Sequence, residues 1–302
     1  MDKKENVFFQ PDTLEEVRDI LADMTEKSVI LAGGTDLMIY IRDKKPDIDR
    51  YLSLCRLSEL KKIKVDQDEL KIGAMVTHNQ AAEDLLIRKY FTALSVACGK
   101  VGSCQVRNKG TLGGNIMNAS PAADTVPCIC LFHGELEFMG KEGFYRKSIF
   151  QFLKEDRRDR EKHQEILTAI YLPLEKDKNI ESWFVKLGER EEVAISQISI
   201  CACWENTKEG KKNITGYLGA VDRIPVPCRE MENLEGEKIS EIQGEKLAET
   251  LSRQITEIRK KRKKPSKLKI TQAEQKYKER AVKGLLFDLI EKMNMRERYG
   301  KN

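Results

Sequence analysis

The sequence lacks any apolar run long enough to cross a membrane, and it is poor in histidine and tryptophan. Its 302 residues include 3 histidines and 2 tryptophans, while 34% of them are charged. A membrane-spanning helix needs about 20 predominantly apolar residues, and no stretch here meets that requirement. The N-terminus, MDKKENVFFQPD, has no apolar core of the kind found in signal peptides. We therefore expect a cytoplasmic protein that does not bind a membrane.

Neither sign of charge dominates the chain. Lysine and arginine number 54 against 49 acidic residues, so the formal net charge is only +5. Proteins that bind nucleic acid usually concentrate their basic residues on one surface, whereas the excess here is small and dispersed. The densest basic segment, RKKRKK at 259–264, is typical of a solvated connector, with docking to a phosphate or a membrane as the alternative. We expect no nucleic-acid partner.

The eight cysteines do not show the spacing of a metal site. Cys128 and Cys130 form one Cys-X-Cys pair, and Cys201 and Cys203 form another, without the two-residue spacer of common zinc sites. No stretch gathers the four cysteines that an iron–sulfur cluster requires. Cys201 and Cys203 alternate along a predicted strand and therefore share one of its faces. We expect reduced thiols that pack in a core, and no metal site.

The common nucleotide-binding motifs are also missing. No Gly-X-Gly-X-X-Gly follows a predicted strand, and no Gly-X-X-X-X-Gly-Lys-Ser/Thr is present. The chain does contain two Gly-Gly segments, ILAGGTDL at 30–37 and GTLGGN at 110–115. Glycine lets backbone N–H groups approach an anion without an intervening Cβ. The two segments are therefore either ordinary turns or two parts of a pyrophosphate site in a different nucleotide fold.

Hydrophobic periodicity predicts an α+β region followed by a region of strands and helices. In the first region we predict a helix over 13–27 capped by Thr13, a helix after Thr35, a helix capped by Thr77 with Gln80 reciprocating, and a helix over 90–100. Short strands and loops follow as far as Pro173, and EILTAIYLP is the last of these strands. The charged segment LEKDKNIES separates this region from alternating strands and two closing helices near 243–260 and 271–293. The predicted domains are residues 1–175 and 176–302.

No set of side chains in the sequence predicts acid–base or nucleophilic catalysis, and we assign no catalytic residue. His78, His133 and His163 are scattered along the chain. Each is predicted to be solvated or to have its hydrogen bonds satisfied.

Four segments together resemble the FAD-binding subunits of molybdenum-containing hydroxylases, a family that includes the flavin subunits or domains of xanthine dehydrogenase and aerobic carbon monoxide dehydrogenase. The segments, in order, are ILAGGTDL, VGSCQVRNKGTLGGNIMNASPAADTVP, EILTAIYLP and FVKLGEREEVAISQISIC. The resemblance covers most of the chain and is densest at 101–127. It implies an α+β fold: a two-part FAD-binding domain of the molybdopterin dehydrogenase (PCMH-like) type, followed by a C-terminal domain of antiparallel sheet and helices.

The resemblance also implies which residues contact FAD. The first glycine segment would wrap the cofactor with its backbone amides at the phosphates, and the second would add a phosphate contact with the Thr111 hydroxyl and the Asn115 side chain. Asp124 would bond hydroxyl groups of the ribose or ribityl portion, and Lys186 would lie near the flavin. The full implied set is Ile30, Leu31, Ala32, Gly33, Gly34, Thr35, Asp36, Leu37, Val101, Thr111, Leu112, Gly113, Gly114, Asn115, Asp124, Leu167 and Lys186.

Four of these residues also have a purely structural interpretation that involves no cofactor. Asp124 can cap the turn after Pro121, a common role for aspartate. Val101 and Leu167 can be core residues, and Lys186 can be a surface lysine.

The resemblance implies a subunit that transfers electrons. FAD in this chain would receive them from [2Fe–2S] clusters on a small partner subunit and pass them to NAD+ or another acceptor. A large partner subunit would hold molybdopterin and oxidise the substrate, which is expected to be xanthine or another purine or N-heterocycle. Two alternatives stay open: a flavin-free structural subunit of such a complex, and a stand-alone FAD oxidase.

Overall fold

A computed structural model of the protein describes residues 7–155, 164–188, 195–261 and 272–295. The strands are β1 (Val7–Phe9), β2 (Ser28–Leu31), β3 (Arg50–Ser53), β4 (Ile63–Asp66), β5 (Glu69–Gly73), β6 (Glu135–Gly140), β7 (Gly143–Ser148), β8 (Glu165–Pro173), β9 (Ile180–Leu187), β10 (Ile198–Thr207), β11 (Gly210–Gly219) and β12 (Val226–Pro227). The helices are α1 (Leu14–Ala22), α2 (Leu37–Lys44), α3 (His78–Glu83), α4 (Leu85–Tyr90), α5 (Thr92–Gly99), α6 (Cys104–Lys109), α7 (Leu112–Asn118), α8 (Thr125–Leu131), α9 (Ile149–Lys154), α10 (Glu241–Lys261) and α11 (Gln272–Asn294). This mixture confirms the predicted α+β class.

The chain forms two compact units, each built from three separate segments. The first unit comprises residues 1–81, 103–119 and 132–174, and the second comprises 82–102, 120–131 and 175–302. The chain passes from the first unit to the second for the last time between Leu174 and Glu175. The division into domains 1–175 and 176–302 stays a prediction.

The first unit contains a parallel sheet of order β1-β3-β2 and an antiparallel sheet of order β4-β5-β8-β6-β7. β8 is the middle strand of the larger sheet, and eight of its nine residues are buried, as expected for the apolar run EILTAIYLP. One hydrophobic cluster joins α1 to strands of both sheets. It includes Val17 and Leu21 from α1, Leu52 from β3, and Met139 and Ile166 from β6 and β8.

Helix α1 ends earlier than predicted. The Thr13 side chain caps it by accepting from the Glu16 N–H at 3.3 Å, as expected from the sequence. The helix stops at Ala22 rather than near residue 27, because Thr25 and Ser28 form a turn that leads into β2. The Thr25 N–H donates to the Ser28 hydroxyl at 2.8 Å, a local bond that competes with helical hydrogen bonding.

The predicted strands and loops between residues 101 and 131 are wrong, because three short helices occupy this stretch. Ser103 and Thr111 cap α6 and α7 by accepting from backbone N–H groups three residues later. All seven residues of α8 are buried. A helix of seven residues that is buried on every side shows no amphipathic period, so the sequence of α8 gives little helical signal. Helix α6 has only six residues, too few to establish such a period.

The second unit contains an antiparallel sheet of order β12-β11-β10-β9. Its core includes residues of β10, β11, α10 and α11, and both closing helices lie within two residues of their predicted bounds. On β10, Cys201 is fully buried and Cys203 is half-buried. Within the described residues, no helix combines the length and apolar character that a bilayer crossing needs. Residues 262–264 of the basic segment, and His163, lie outside the described residues.

Candidate cofactor-binding site

The first glycine segment, residues 32–36, connects β2 to α2. Gly34 has a φ of 75°, a left-handed conformation that glycine adopts without strain. The backbone N–H groups of Gly33, Gly34 and Thr35 donate no hydrogen bond to any other residue that the structure describes, and all three residues are half-buried. Helix α2 begins directly afterwards at Leu37, so its partial positive charge lies at the same place. An anion with several acceptor oxygens fits this row of donors.

The second glycine segment, residues 110–115, uses its backbone donors differently. All four N–H groups from residue 112 to residue 115 already donate within the first unit. Their acceptors, in order, are Val76 O, Ala74 O, Thr111 Oγ1 and Thr111 O, at 2.9 to 3.0 Å. The segment is therefore anchored to the residues that follow β5, and these four N–H groups already have acceptors within the chain.

The two segments lie against each other along what we call the glycine seam, residues 32–36 and 109–118. Four close approaches join them, in the pairs Ala32 with Gly114, Gly33 with Lys109, Thr35 with Gly110, and Asp36 with Asn118. A Cβ added to Gly33 would lie 2.0 Å from the Lys109 carbonyl oxygen, so no other residue fits there. The Asn118 amide donates to the Asp36 carboxylate at 3.2 Å.

Packing within the chain explains some of these glycines, and Gly114 is the exception. A Cβ on Gly113 would lie 2.6 Å from the Ala74 side chain, so close backbone approach requires glycine there. A Cβ on Gly114 would meet only the Thr111 hydroxyl at 3.0 Å and the Ala32 Cβ at 3.5 Å, contacts that small shifts can relieve. Space beside Gly114 together with the donors of the first segment fits a phosphate-bearing ligand such as FAD.

A buried histidine, His78, packs against the glycine seam. It is 2% exposed, and its backbone N–H donates to the Gly110 carbonyl at 3.0 Å. Its ring atom Cδ2 lies 3.3 Å from the position of a Cβ on Gly110. Burial, and then the nearby charge of Arg107, lower the pKa of His78 to about 4. Its Nδ1 is buried and makes no hydrogen bond with a described residue.

The expectation of satisfied histidines is therefore wrong for His78, whereas His133 is exposed to solvent as expected. Sequence reasoning missed His78 as a site residue because nothing local places it beside the glycines. Its position follows from a β-bridge between Thr77 and Thr111. The predicted cap at Thr77 is confirmed by reciprocal bonds with Gln80 at 3.2 and 3.0 Å, but this cap fixes only where α3 begins.

Asp124 and Lys186, both implied by the resemblance, form an ion pair inside the second unit. Lys186 Nζ lies 2.7 Å from Asp124 Oδ2 and also donates to the carbonyl of Lys100 at 2.7 Å. The Ser196 hydroxyl donates to Asp124 Oδ1. Burial raises the pKa of the Asp124 carboxyl, and the charge of Lys186 opposes that rise. Lys186 is thus not a surface lysine, and Asp124 does more than cap a turn.

Sequence reasoning missed Ser196, although it lies in the fourth of the resembling segments, and it missed Lys100, because only the fold brings these two residues to Asp124 and Lys186. The other two implied residues have their own packing. Leu167 is 3% exposed and pairs with Phe138 across β8 and β6, and Val101 is half-buried after α5. The cofactor contacts implied for all of these residues stay predictions.

Comparison with known proteins identifies relatives of this chain. Residues 3–175 match the family model described as the FAD binding domain in molybdopterin dehydrogenase. The nicotinate dehydrogenase FAD-subunit of Eubacterium barkeri is 34% identical over 201 residues, which are 65% of this chain and 67% of that protein. The xanthine dehydrogenase FAD-binding subunit of Escherichia coli O157:H7 is 27% identical over 221 residues, which are 73% of this chain and 75% of that protein.

Solved structures share the fold. A chain of quinoline 2-oxidoreductase from Pseudomonas putida 86 matches with a TM-score of 0.80 and 20% identity, covering 98% of this chain and 100% of that chain. A chain of a Cu,Mo-CO dehydrogenase matches with a TM-score of 0.80 and 17% identity, covering 97% and 99%. The family match, which covers more than half of the sequence, confirms the resemblance and the presence of an FAD-binding domain. The chain belongs to the oxidoreductase family of FAD-binding subunits of molybdopterin dehydrogenases.

Proposed function

We propose that this chain holds FAD as the electron-transfer subunit of a molybdenum hydroxylase complex. In the complex, a small partner subunit carries [2Fe–2S] clusters and a large partner subunit carries molybdopterin. Bound FAD supplies the redox chemistry, linking electrons from the clusters to NAD+ or another acceptor. The names of the relatives support a multi-subunit assembly, because they are an FAD-subunit, an FAD-binding subunit and, in Hydrogenophaga pseudoflava, a carbon monoxide dehydrogenase medium chain.

The observation that carries this proposal is the row of backbone donors at Gly33, Gly34 and Thr35. They make no hydrogen bond to another described residue, and they lie at the start of α2. Because they are half-buried, water can solvate them until an anion binds. A pyrophosphate offers several oxygens and negative charge, and both are stabilised by N–H groups at a helix N-terminus.

The second glycine segment supports the first and adds side-chain contacts. The N–H groups of residues 112–115 hold it in place, and its proposed contacts with FAD come from the Thr111 hydroxyl and the Asn115 side chain. The Thr111 oxygen accepts from the Gly114 N–H at 3.0 Å, which leaves the hydroxyl proton available for donation to a phosphate oxygen.

Asp124, Lys186, Val101 and Leu167 are proposed as further FAD contacts on the strength of the family resemblance. A carboxylate has about four acceptor positions. Asp124 uses two of them for Ser196 and Lys186, so it can still accept from a hydroxyl group of FAD. For the large partner subunit we propose a purine or another N-heterocycle as substrate, since two relatives are named for nicotinate and xanthine.

The test of FAD binding is an absorption spectrum of the purified chain, followed by heat release and chromatography of the bound cofactor. We expect flavin absorption bands and released FAD. A colourless protein that also takes up no added FAD would contradict the proposal and favour the flavin-free structural subunit.

The electron acceptor and the oxidase alternative need a second experiment. Anaerobic NADH should bleach the flavin absorption if NAD+ is the acceptor, because the transfer is reversible. Persistent absorption would point to another acceptor. A stand-alone oxidase would instead turn over substrate and release hydrogen peroxide without partner subunits, and we expect the isolated chain to do neither.

A further inference from the structure

Two buried side-chain atoms lack a hydrogen-bond partner in the part of the chain that the structure describes, Asp49 Oδ1 and His78 Nδ1. A buried polar atom without a partner destabilises a fold, so each needs an explanation. Asp49 lies just before β3, at the end of the parallel sheet where Ser28 and Arg50 pair. The first glycine segment leaves the opposite end of that sheet, after Leu31. Of the two atoms, His78 Nδ1 is the one at the glycine seam.

The His78 ring and the Thr35 hydroxyl both lie beside Gly110. His78 Cδ2 and Thr35 Oγ1 lie 3.3 and 3.4 Å from the same point, the position of a Cβ on Gly110. A half-turn of the imidazole about its Cβ–Cγ bond exchanges Cδ2 with Nδ1 and leaves the outline of the ring almost unchanged. That rotation places the unpaired nitrogen where Cδ2 now lies, 3.3 Å from the position of a Cβ on Gly110, a point that the Thr35 hydroxyl also approaches.

The ring also has the right protonation state to accept a hydrogen bond. Burial and the charge of Arg107 lower the pKa of His78 to about 4, so the imidazole is neutral at pH 7. A neutral imidazole has one donor nitrogen and one acceptor nitrogen. The Thr35 hydroxyl has a proton to donate, so the two groups are complementary.

We infer that His78 is a positioning residue: its Nδ1 accepts from the Thr35 hydroxyl and holds the first glycine segment in the conformation that binds the FAD phosphates. The backbone N–H of His78 donates to the Gly110 carbonyl at 3.0 Å and so fixes His78 to the second segment, whereas Thr35 belongs to the first segment. The bond therefore ties the two halves of the seam together. This inference rests on the proposed function, because it assigns His78 a role in binding the same cofactor.

The first test measures FAD affinity of the FAD-free chain by quenching of flavin fluorescence. One hydrogen bond contributes modestly, so we expect His78→Phe to weaken binding about three- to tenfold. His78→Asn, whose amide reaches the place of Nδ1, should bind FAD within about twofold of the original chain if that one bond carries the effect. His78→Gln, which reaches the place of Nε2, should behave like His78→Phe. Asp49→Asn, the matched control, should change stability without changing FAD affinity.

The second test leaves His78 unaltered and does not depend on how its variants fold. The chain has only 3 histidines, so the imidazole ¹⁵N signals can be assigned by elimination. Thr35→Val should shift the Nδ1 signal of His78 and leave that of His133 in place. Combining His78→Phe with Thr35→Val should weaken FAD binding no more than Thr35→Val alone, as expected for two partners of one bond.

The results separate this inference from the proposed function. If the unaltered chain binds FAD and His78→Phe binds it equally well, the inference is overturned and the proposed function stands. An Nδ1 signal that is the same with and without the Thr35 hydroxyl also overturns the inference. If the unaltered chain binds no FAD, both fail.

Discussion

The two Gly-Gly segments look alike in sequence but use their backbone donors in opposite ways. In the first, the N–H groups of Gly33, Gly34 and Thr35 bond to no other described residue. In the second, every N–H group from residue 112 to residue 115 has an acceptor within the first unit. A glycine pair alone therefore does not identify an anion site. The hydrogen-bond partner of each N–H group distinguishes the two segments, and for this reason we propose that the first binds the phosphates while the second supports it.

The largest expected effect comes from Gly33→Ala, which forces the two segments apart. Its Cβ would lie 2.0 Å from the Lys109 carbonyl oxygen, so the backbone has to move. We expect the purified variant to contain no FAD, and its free energy of unfolding to fall by about 1–3 kcal/mol. FAD content is measured by absorption, and stability by urea unfolding.

The matched control is Gly284→Ala in α11, where an added Cβ meets nothing within 4 Å. Alanine in a helix interior should stabilise the chain by roughly 0.5–1 kcal/mol and leave FAD content unchanged. A Gly33→Ala protein with the FAD content of this control would contradict the account of the seam.

The pH dependence of stability tests His78, the histidine that packs on the second segment. The folded pKa of His78 is about 4, below its ordinary 6.5, so the unfolded chain binds a proton in this range and the folded chain does not. Stability should therefore fall as the pH drops from 6.5 to 4, by on the order of 3 kcal/mol from this residue. Urea unfolding at pH 7 and pH 4.5 should show a smaller acid loss for His78→Phe than for the original chain. Equal losses would show that His78 titrates normally.

Gly114→Ala tests whether the second segment touches the cofactor or only supports the first. A Cβ there meets only adjustable contacts within the chain, so we expect the folded protein to keep its stability. If FAD lies beside Gly114, the added methyl group should weaken FAD binding by about tenfold or more. Unchanged affinity, measured by flavin fluorescence, would leave the second segment with a supporting role alone.

The smallest expected effect concerns the Thr111 cap of α7. Thr111→Val removes the acceptor for the Gly114 N–H and should cost about 1 kcal/mol of stability. It also removes the hydroxyl proposed to bond a phosphate oxygen, so FAD affinity should fall by about three- to tenfold. Thr111→Ser keeps the hydroxyl and should resemble the original chain in both measurements. Equal FAD affinity in the two variants would exclude the hydroxyl from the site.

Features that depend on local sequence were predicted well. The apolar run of β8, the cap of α3 by Thr77 and Gln80, and the two closing helices follow from periodicity and capping residues within a few positions of each other. We did not predict the helices α6, α7 and α8 because they are short. Helix α8 is also buried on all sides and therefore lacks an amphipathic pattern.

The sequence singles out residues of the candidate site, but it does not predict the contacts among them. The glycine segments and Asp124 stand out in the sequence, but the acceptors Ala74 and Val76 lie 39 and 36 residues before the N–H groups that they bind, those of Gly113 and Leu112. Such pairings depend on the tertiary fold and have no local signal. The same holds for Ser196, which reaches Asp124 from 72 residues away.

The most direct test is hydrogen exchange of the backbone amides in the FAD-free and FAD-loaded chain. Amides without an acceptor exchange rapidly, and a bound ligand that accepts from them slows the exchange. We predict that the amides of Gly33, Gly34 and Thr35 exchange fast without FAD and slowly with it, while those of residues 112–115 are slow in both states. Fast exchange at residues 33–35 in the FAD-loaded chain would contradict the central claim that the first glycine segment binds the phosphates.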